Sequence, residues 1–206
     1  MRYAIALLLI FFFLLSCHAF EQTAAAKAGI KHNPGVKKLI KASSLHAFTP
    51  IQVIGDKEFV ARTNEALALL KTKAPADYAL VSASIGKIQQ HTFSGMAAFE
   101  TPPTYKVGAA TSSAPLTWYA STIVHDACHA KLYHDYITTY KKAVPDDAWT
   151  GMAAEMTCLE RQIKTLKQIG APDSEITYAQ SLRGTNWWDL NGDGTYDTED
   201  EKLRDW

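Results

Sequence analysis

Two hydrophobic rhythms run through this chain, and the helical one dominates. In "DKEFVARTNEALALLKTKAP", Phe59, Val60, Ala66, Leu67, Leu69 and Leu70 fall mostly at helical spacing, with Asp56 placed to cap the first turn and Pro75 placed to stop the last. Just before it, "PIQVIGD" is a short β-branched run closed by Gly-Asp, the pattern of a strand and a turn. "YALVSASIGKIQQHTFSG" carries both rhythms: Leu80, Ile85 and Ile88 fit a helix while "YALVSAS" alternates, so a helix or a strand–helix mixture is expected. "TYKVGAAT" reads as a strand whose glycine and alanines leave the backbone open to another chain. A long helix follows from Pro115 or Leu116 through "STIVHDACHAKLYHDYITTYKKA". Pro145 and "DDAW" open the next, which Gly170 ends, and "APDSEITYAQSLRG" adds a shorter one. The pattern predicts a small α+β domain, mostly helical with a short sheet.

The amino terminus changes the setting. "MRYAIALLLIFFFLLSCHAF" has one arginine, an apolar run from Ala4 to Leu15 and small residues at its end, the shape of a secretory signal. Two processing routes fit. "LLSC" resembles a bacterial lipobox, which would end the signal at residue 16 and leave Cys17 acylated; "CHA" before Phe20 suits ordinary cleavage after residue 19. The expected organisation is a signal at 1–19, an alanine-rich polar tether at 20–38, a folded domain at 39–183 and an acidic tail at 184–206. The mature protein is thus expected to be exported, as a periplasmic or outer-membrane lipoprotein or otherwise secreted, touching membrane only through a lipid anchor. Acidic and basic residues balance at 21 each, so no net field draws the chain to nucleic acid.

Chemistry concentrates in "VHDACHA". His125 and His129 lie four apart, about 40° around a helix, and so project from one face where they can grip one ion. A catalytic zinc needs a third protein ligand and an open position. Glu155 is the candidate, because "MAAEMTCLERQ" sets its carboxylate among small and apolar residues where a lone charge is costly. His134 is nine residues from His125, about 900° on, and falls on the opposite face.

This constellation resembles the HExxH zinc metallopeptidases, specifically the branch whose third ligand is a glutamate on a later helix. The resemblance spans roughly Tyr105 to Gly170 and rests on "HDACH", on Glu155 in "AAEMTCLE", and on "TYKVGAAT" where such enzymes carry a substrate-pairing edge strand. It implies a zincin-like domain at 39–183, zinc on His125, His129 and Glu155, and Asp126 standing in for the catalytic glutamate. Aspartate has the same acid–base chemistry but is one methylene shorter, about 1.5 Å of reach. The implied function is a zinc-dependent metallopeptidase-like hydrolase acting on a peptide or cell-wall amide; the alternative is an inactive metal-binding envelope protein that uses the same frame to bind a partner.

Cys128 follows His125 by three residues and Cys158 follows Glu155 by three, so the sulfurs flank the proposed ion on corresponding sides of their helices. In an oxidising compartment a Cys128–Cys158 disulfide is expected; a share in the metal site or two inert buried thiols are the alternatives. In the tail, "DLNGDGTYDTED" puts Asp189, Asn191, Asp193, Thr195, Asp197 and Asp200 at the liganding positions of an EF-hand loop, with Gly194 at its bend. It looks like the calcium loops of EF-hand and dockerin-type modules, and a structural Ca²⁺ is expected there.

Overall fold

The structure is a computed structural model that describes residues 50–192 and 198–203. The signal, Cys17, the tether and the first residues of the expected domain lie outside the described residues, as do Asp193, Thr195 and Asp197. Chain order is β1 (Gln52–Ile54), α1 (Lys57–Lys73), α2 (Pro75–Ser84), β2 (Lys87–Gln90), β3 (Gly95–Ala97), β4 (Thr104–Val107), α3 (Ala109–Ser113), α4 (Leu116–Tyr140), a 3-10 turn (Asp146–Ala148), α5 (Gly151–Ile169), α6 (Asp173–Ser181) and α7 (Thr198–Leu203). Helices and a four-stranded sheet make the small α+β domain that the hydrophobic pattern predicts.

Local chemistry sets the element boundaries. Asp56 caps α1 by accepting the Phe59 N–H at 2.8 Å, and it exchanges two further hydrogen bonds with Gln90, which ties the start of α1 to the end of β2. As expected, α1 stops before Pro75, at Lys73, and the proline also takes the first turn of α2, where its missing N–H costs no helical bond. The ambiguous stretch resolves as helix first and strand second, α2 then β2. Gly170 closes α5 in the left-handed region at φ 78°, as its position suggests.

The sheet order is β1-β2-β4-β3, with β1, β2 and β4 parallel and β3 antiparallel to β4. This corrects the expectation that "TYKVGAAT" supplies the open edge. Tyr105 pairs with Ile88 on one side and Met96 on the other, so β4 is interior, and after Gly108 the chain turns into α3. Among the described residues, the sheet edge beside the cleft belongs to β3.

Helix α4 runs through the centre. From Trp118 to Ala130 every residue is buried except Asp126, which is half-buried, so this stretch is enclosed on all sides rather than on one stripe. Tyr119, Ile123, Val124 and Ala127 join Leu70, Val81, Ile88 and Val107 in the main core, while Trp118 packs with Leu159, Ile163 and Leu166 of α5. The contacts between α4 and α5 run in reverse order, Ser121 with Gln162 and His125 with Glu155, so the two helices are antiparallel. A buried Asp77 on α2 holds α5 from behind, accepting from Arg161 at 3.0 Å and from Thr165 at 2.9 Å. Beyond Ala130, α4 emerges into solvent and ends at Lys141.

Candidate metal centre

His125, His129 and Glu155 converge in the core, exposed by only 5, 5 and 9%. His125 Nε2 lies 3.2 Å from Glu155 Oε2, His129 Nε2 lies 3.4 Å from Glu155 Oε1, and the two Nε2 atoms are 3.0 Å apart. Among the described residues this is the cluster of three or more candidate ligands at metal-binding distance. Glu155 reaches it because it sits on the buried stripe of α5 with Cys158, Leu159, Gln162 and Leu166, positions that face α4.

The donor set is one that can hold a metal ion. Ligand atoms at about 2.0–2.1 Å from a tetrahedral ion stand about 3.3 Å from each other; the imidazole pair at 3.0 Å and the two imidazole–carboxylate contacts at 3.2 and 3.4 Å, which use different Glu155 oxygens, lie near that value. His129 Nδ1 is 2.6 Å from the Trp149 carbonyl oxygen. A carbonyl only accepts, so Nδ1 carries a proton and donates it, which in the neutral ring leaves the Nε2 lone pair facing the cluster. His125 Nδ1 has no hydrogen-bond partner among the described residues. Packing orients that ring instead: Trp187 meets it edge to face at 5.5 Å.

Without metal, the site is a buried ion pair. Burial works against a charge on His129, but the Glu155 carboxylate, the Asp126 charge and the Trp149 carbonyl outweigh it and raise the imidazole to about 9. Burial likewise pushes the Glu155 carboxyl up, and the two histidines more than reverse this, holding it well below the usual carboxylate range. The raised histidine contributes stability in full below its ordinary value of 6.5 and loses it as pH climbs through about 9. The depressed carboxyl contributes above its ordinary value of 4.5, and that contribution is lost only in strong acid. A divalent ion must displace the His129 proton. Zinc affinity is therefore expected to rise about tenfold per pH unit between 6.5 and about 9 and then to level off, as read by competition with a fluorescent chelator; a flat profile over that range contradicts this electrostatic picture.

The cluster lies in a cleft of about 580 Å³. Its lining includes Gly95, Met96 and Ala97 of β3, Thr122, His125, Asp126 and His129 of α4, Trp149 and Thr150 between α4 and α5, and Trp187 and Trp188 after α6. Asp126, the one position in the buried stretch of α4 that is partly open, opens into this cleft. Tyr133, His134 and Tyr136 do not line it, because α4 continues helically past them.

The chain after α6 runs back along α5, held by Arg183 on Glu160 and by the Gly184 N–H on the Met156 sulfur, and this delivers Trp187 to the site. Of the expected calcium ligands, Asp189, Asn191 and Asp200 are described. Asp189 accepts from Gly192 N–H at 2.8 Å and from the Asn186 amide at 3.0 Å. Asp200 is fully buried and accepts from the Leu190 and Asn191 N–H groups at 2.7 and 3.2 Å. Among these three, Asp189 and Asp200 are buried, whereas Asn191 is exposed.

Cys128 and Cys158 are buried free thiols in contact with one another, and neither belongs to the ligand triangle. The Cys158 thiol beside it holds Cys128 below the ordinary thiol range, while burial and the same neighbour push Cys158 up. Three parts of the site carry no local sequence signal: the Trp149 carbonyl that orients His129, the Trp187 ring against His125, and the β3 edge. Comparison of the chain with protein-family profiles, with curated proteins and with solved structures finds no match in any of the three.

Proposed function

We propose that this protein is an exported zinc-dependent hydrolase of the HExxH kind, cutting amide bonds in peptides or cell-wall material. The triangle of His125, His129 and Glu155 carries the reading: three buried donors of the right chemistry at tetrahedral spacing, facing an open cleft. Zinc bound there supplies a Lewis acid that polarises the scissile carbonyl and acidifies water. Asp126 takes a proton from the attacking water and delivers it to the leaving amine. The free edge of β3 offers its backbone N–H and C=O groups to an extended substrate, so that main-chain pairing sets the scissile bond over the ligands.

The amino-terminal signal supports export, with Cys17 as the anchor if the lipobox is used, and the EF-hand spacing supports a structural Ca²⁺ on Asp189, Asn191, Asp193, Thr195, Asp197 and Asp200. A second reading has one feature in its favour: Asp126 is a methylene shorter than the glutamate of the motif it resembles, which suits a silent frame that binds a partner. The test is hydrolysis of an extended peptide by protein purified with its metals and analysed for zinc and calcium. Chelator should abolish cleavage, and stoichiometric zinc should restore it; cleavage indifferent to chelator, or a preparation that takes up no zinc, defeats the proposal.

A further inference from the structure

The two helices that bring the ligands together are also the pair that carries the two cysteines. Helix α4 supplies His125 and His129, α5 supplies Glu155, and these two helices share the most extensive packing between described elements. Cys128 lies beside His129 in sequence, and Cys158 lies one turn beyond Glu155. Both cysteines are enclosed, at 6 and 0% exposure, each three residues beyond a member of the His125–Glu155 pair that meets across the two helices at 3.2 Å, and their side chains interact.

From this we infer that Cys128 and Cys158 form an oxidisable lock beneath the metal centre, whose disulfide fixes the spacing of the ligand helices and so slows loss of the ion. The inference rests on the zinc reading for its consequence but not for the bond itself. In forming the bond, both S–H bonds break and one S–S bond forms. Each thiol gives up a proton and an electron, and the two electrons reduce a disulfide oxidant to two thiols by exchange. One thiolate attacks the oxidant, and the other cysteine then displaces the mixed disulfide.

The consequence follows from where the cross-link sits. Zinc leaves this site when α5 moves away from α4, because Glu155 and the imidazoles are carried on different helices. A covalent tie about one turn from the ligands restricts that motion and keeps the empty site assembled for rebinding. Burial then slows attack on the finished bond by weak reductants without blocking a strong dithiol, so oxidation during or soon after folding is retained.

The experiment compares the wild-type protein after oxidised glutathione with the same protein after a dithiol reductant. Alkylation under denaturing conditions and intact mass should find no free thiol at Cys128 and Cys158 in the first and two in the second. Two alkylated thiols after oxidation overturn the lock. Zinc release to a chelator should be about tenfold slower in the oxidised form, and Cys128→Ser and Cys158→Ala should each release zinc at the reduced rate whatever the oxidant. Equal release from oxidised and reduced wild type overturns the retention role even if the bond forms. If neither form takes up zinc, the metal reading fails and the retention role with it, while alkylation, which needs no metal, still decides whether the bond exists.

Discussion

Glu155→Ala is expected to lower zinc affinity by at least about a thousandfold and to eliminate hydrolysis with it. Supporting groups one shell out cost about 10- to 100-fold when removed, and Glu155 is itself a vertex of the donor triangle and its one carboxylate. Alanine leaves two imidazoles with nothing to complete the coordination or offset the charge of the ion. The loss should be separable from unfolding. Without the carboxylate that raises it, buried His129 falls towards the neutral form, so no uncompensated charge remains in the core at neutral pH. The variant should therefore keep its circular dichroism spectrum while losing the metal in a chelator competition, and Glu155→Gln, close to the native volume, should lose zinc nearly as completely. Wild-type zinc affinity in either variant would remove Glu155 from the ligand set.

Asp126→Asn is expected to keep the zinc and to slow turnover by about 10² to 10⁴, the range that a positioned general base contributes. The two carboxylates are distinguished by their places: Glu155 is enclosed among the imidazoles, whereas Asp126 is half-buried and faces the cleft. An amide at 126 preserves shape and hydrogen bonding but takes no proton from water. Asp126→Glu then separates the two functional readings. In an enzyme adapted to aspartate, the extra 1.5 Å or so of reach misplaces the carboxylate and kcat falls; in a frame silenced by the shorter side chain, the same substitution switches hydrolysis on. Turnover unchanged in Asp126→Asn, with zinc retained, would take Asp126 out of the chemistry.

Most of what positions the ligands was legible in the sequence because it is written in local rules. Helical spacing with Asp56 at one end defines α1, and Gly170 ends α5; the i, i+4 histidines define a shared face, and a carboxylate on the buried stripe of α5 marks Glu155. The parts that were not legible depend on partners distant in the chain. Strand β3 is three residues, "GMA", too short to show alternation, and only its pairing with β4 makes it a strand and the sheet's edge. "TYKV" reads as a strand from its own residues, yet whether a strand is interior or edge is decided by its neighbours. Pro75 marks the end of one helix from the sequence, but that it also opens the next depends on the tight α1–α2 junction. The Trp149 contact uses a backbone oxygen, which every residue type carries.

Anomalous diffraction from crystals grown with zinc, recorded on either side of the zinc absorption edge, tests the central claim most directly. The account predicts one strong peak at about 2.0–2.2 Å from His125 Nε2, His129 Nε2 and a Glu155 carboxylate oxygen, absent in Glu155→Ala. A zinc-soaked crystal with no anomalous density inside that triangle, or with the ion held elsewhere and the triangle closed as an ion pair, would contradict it.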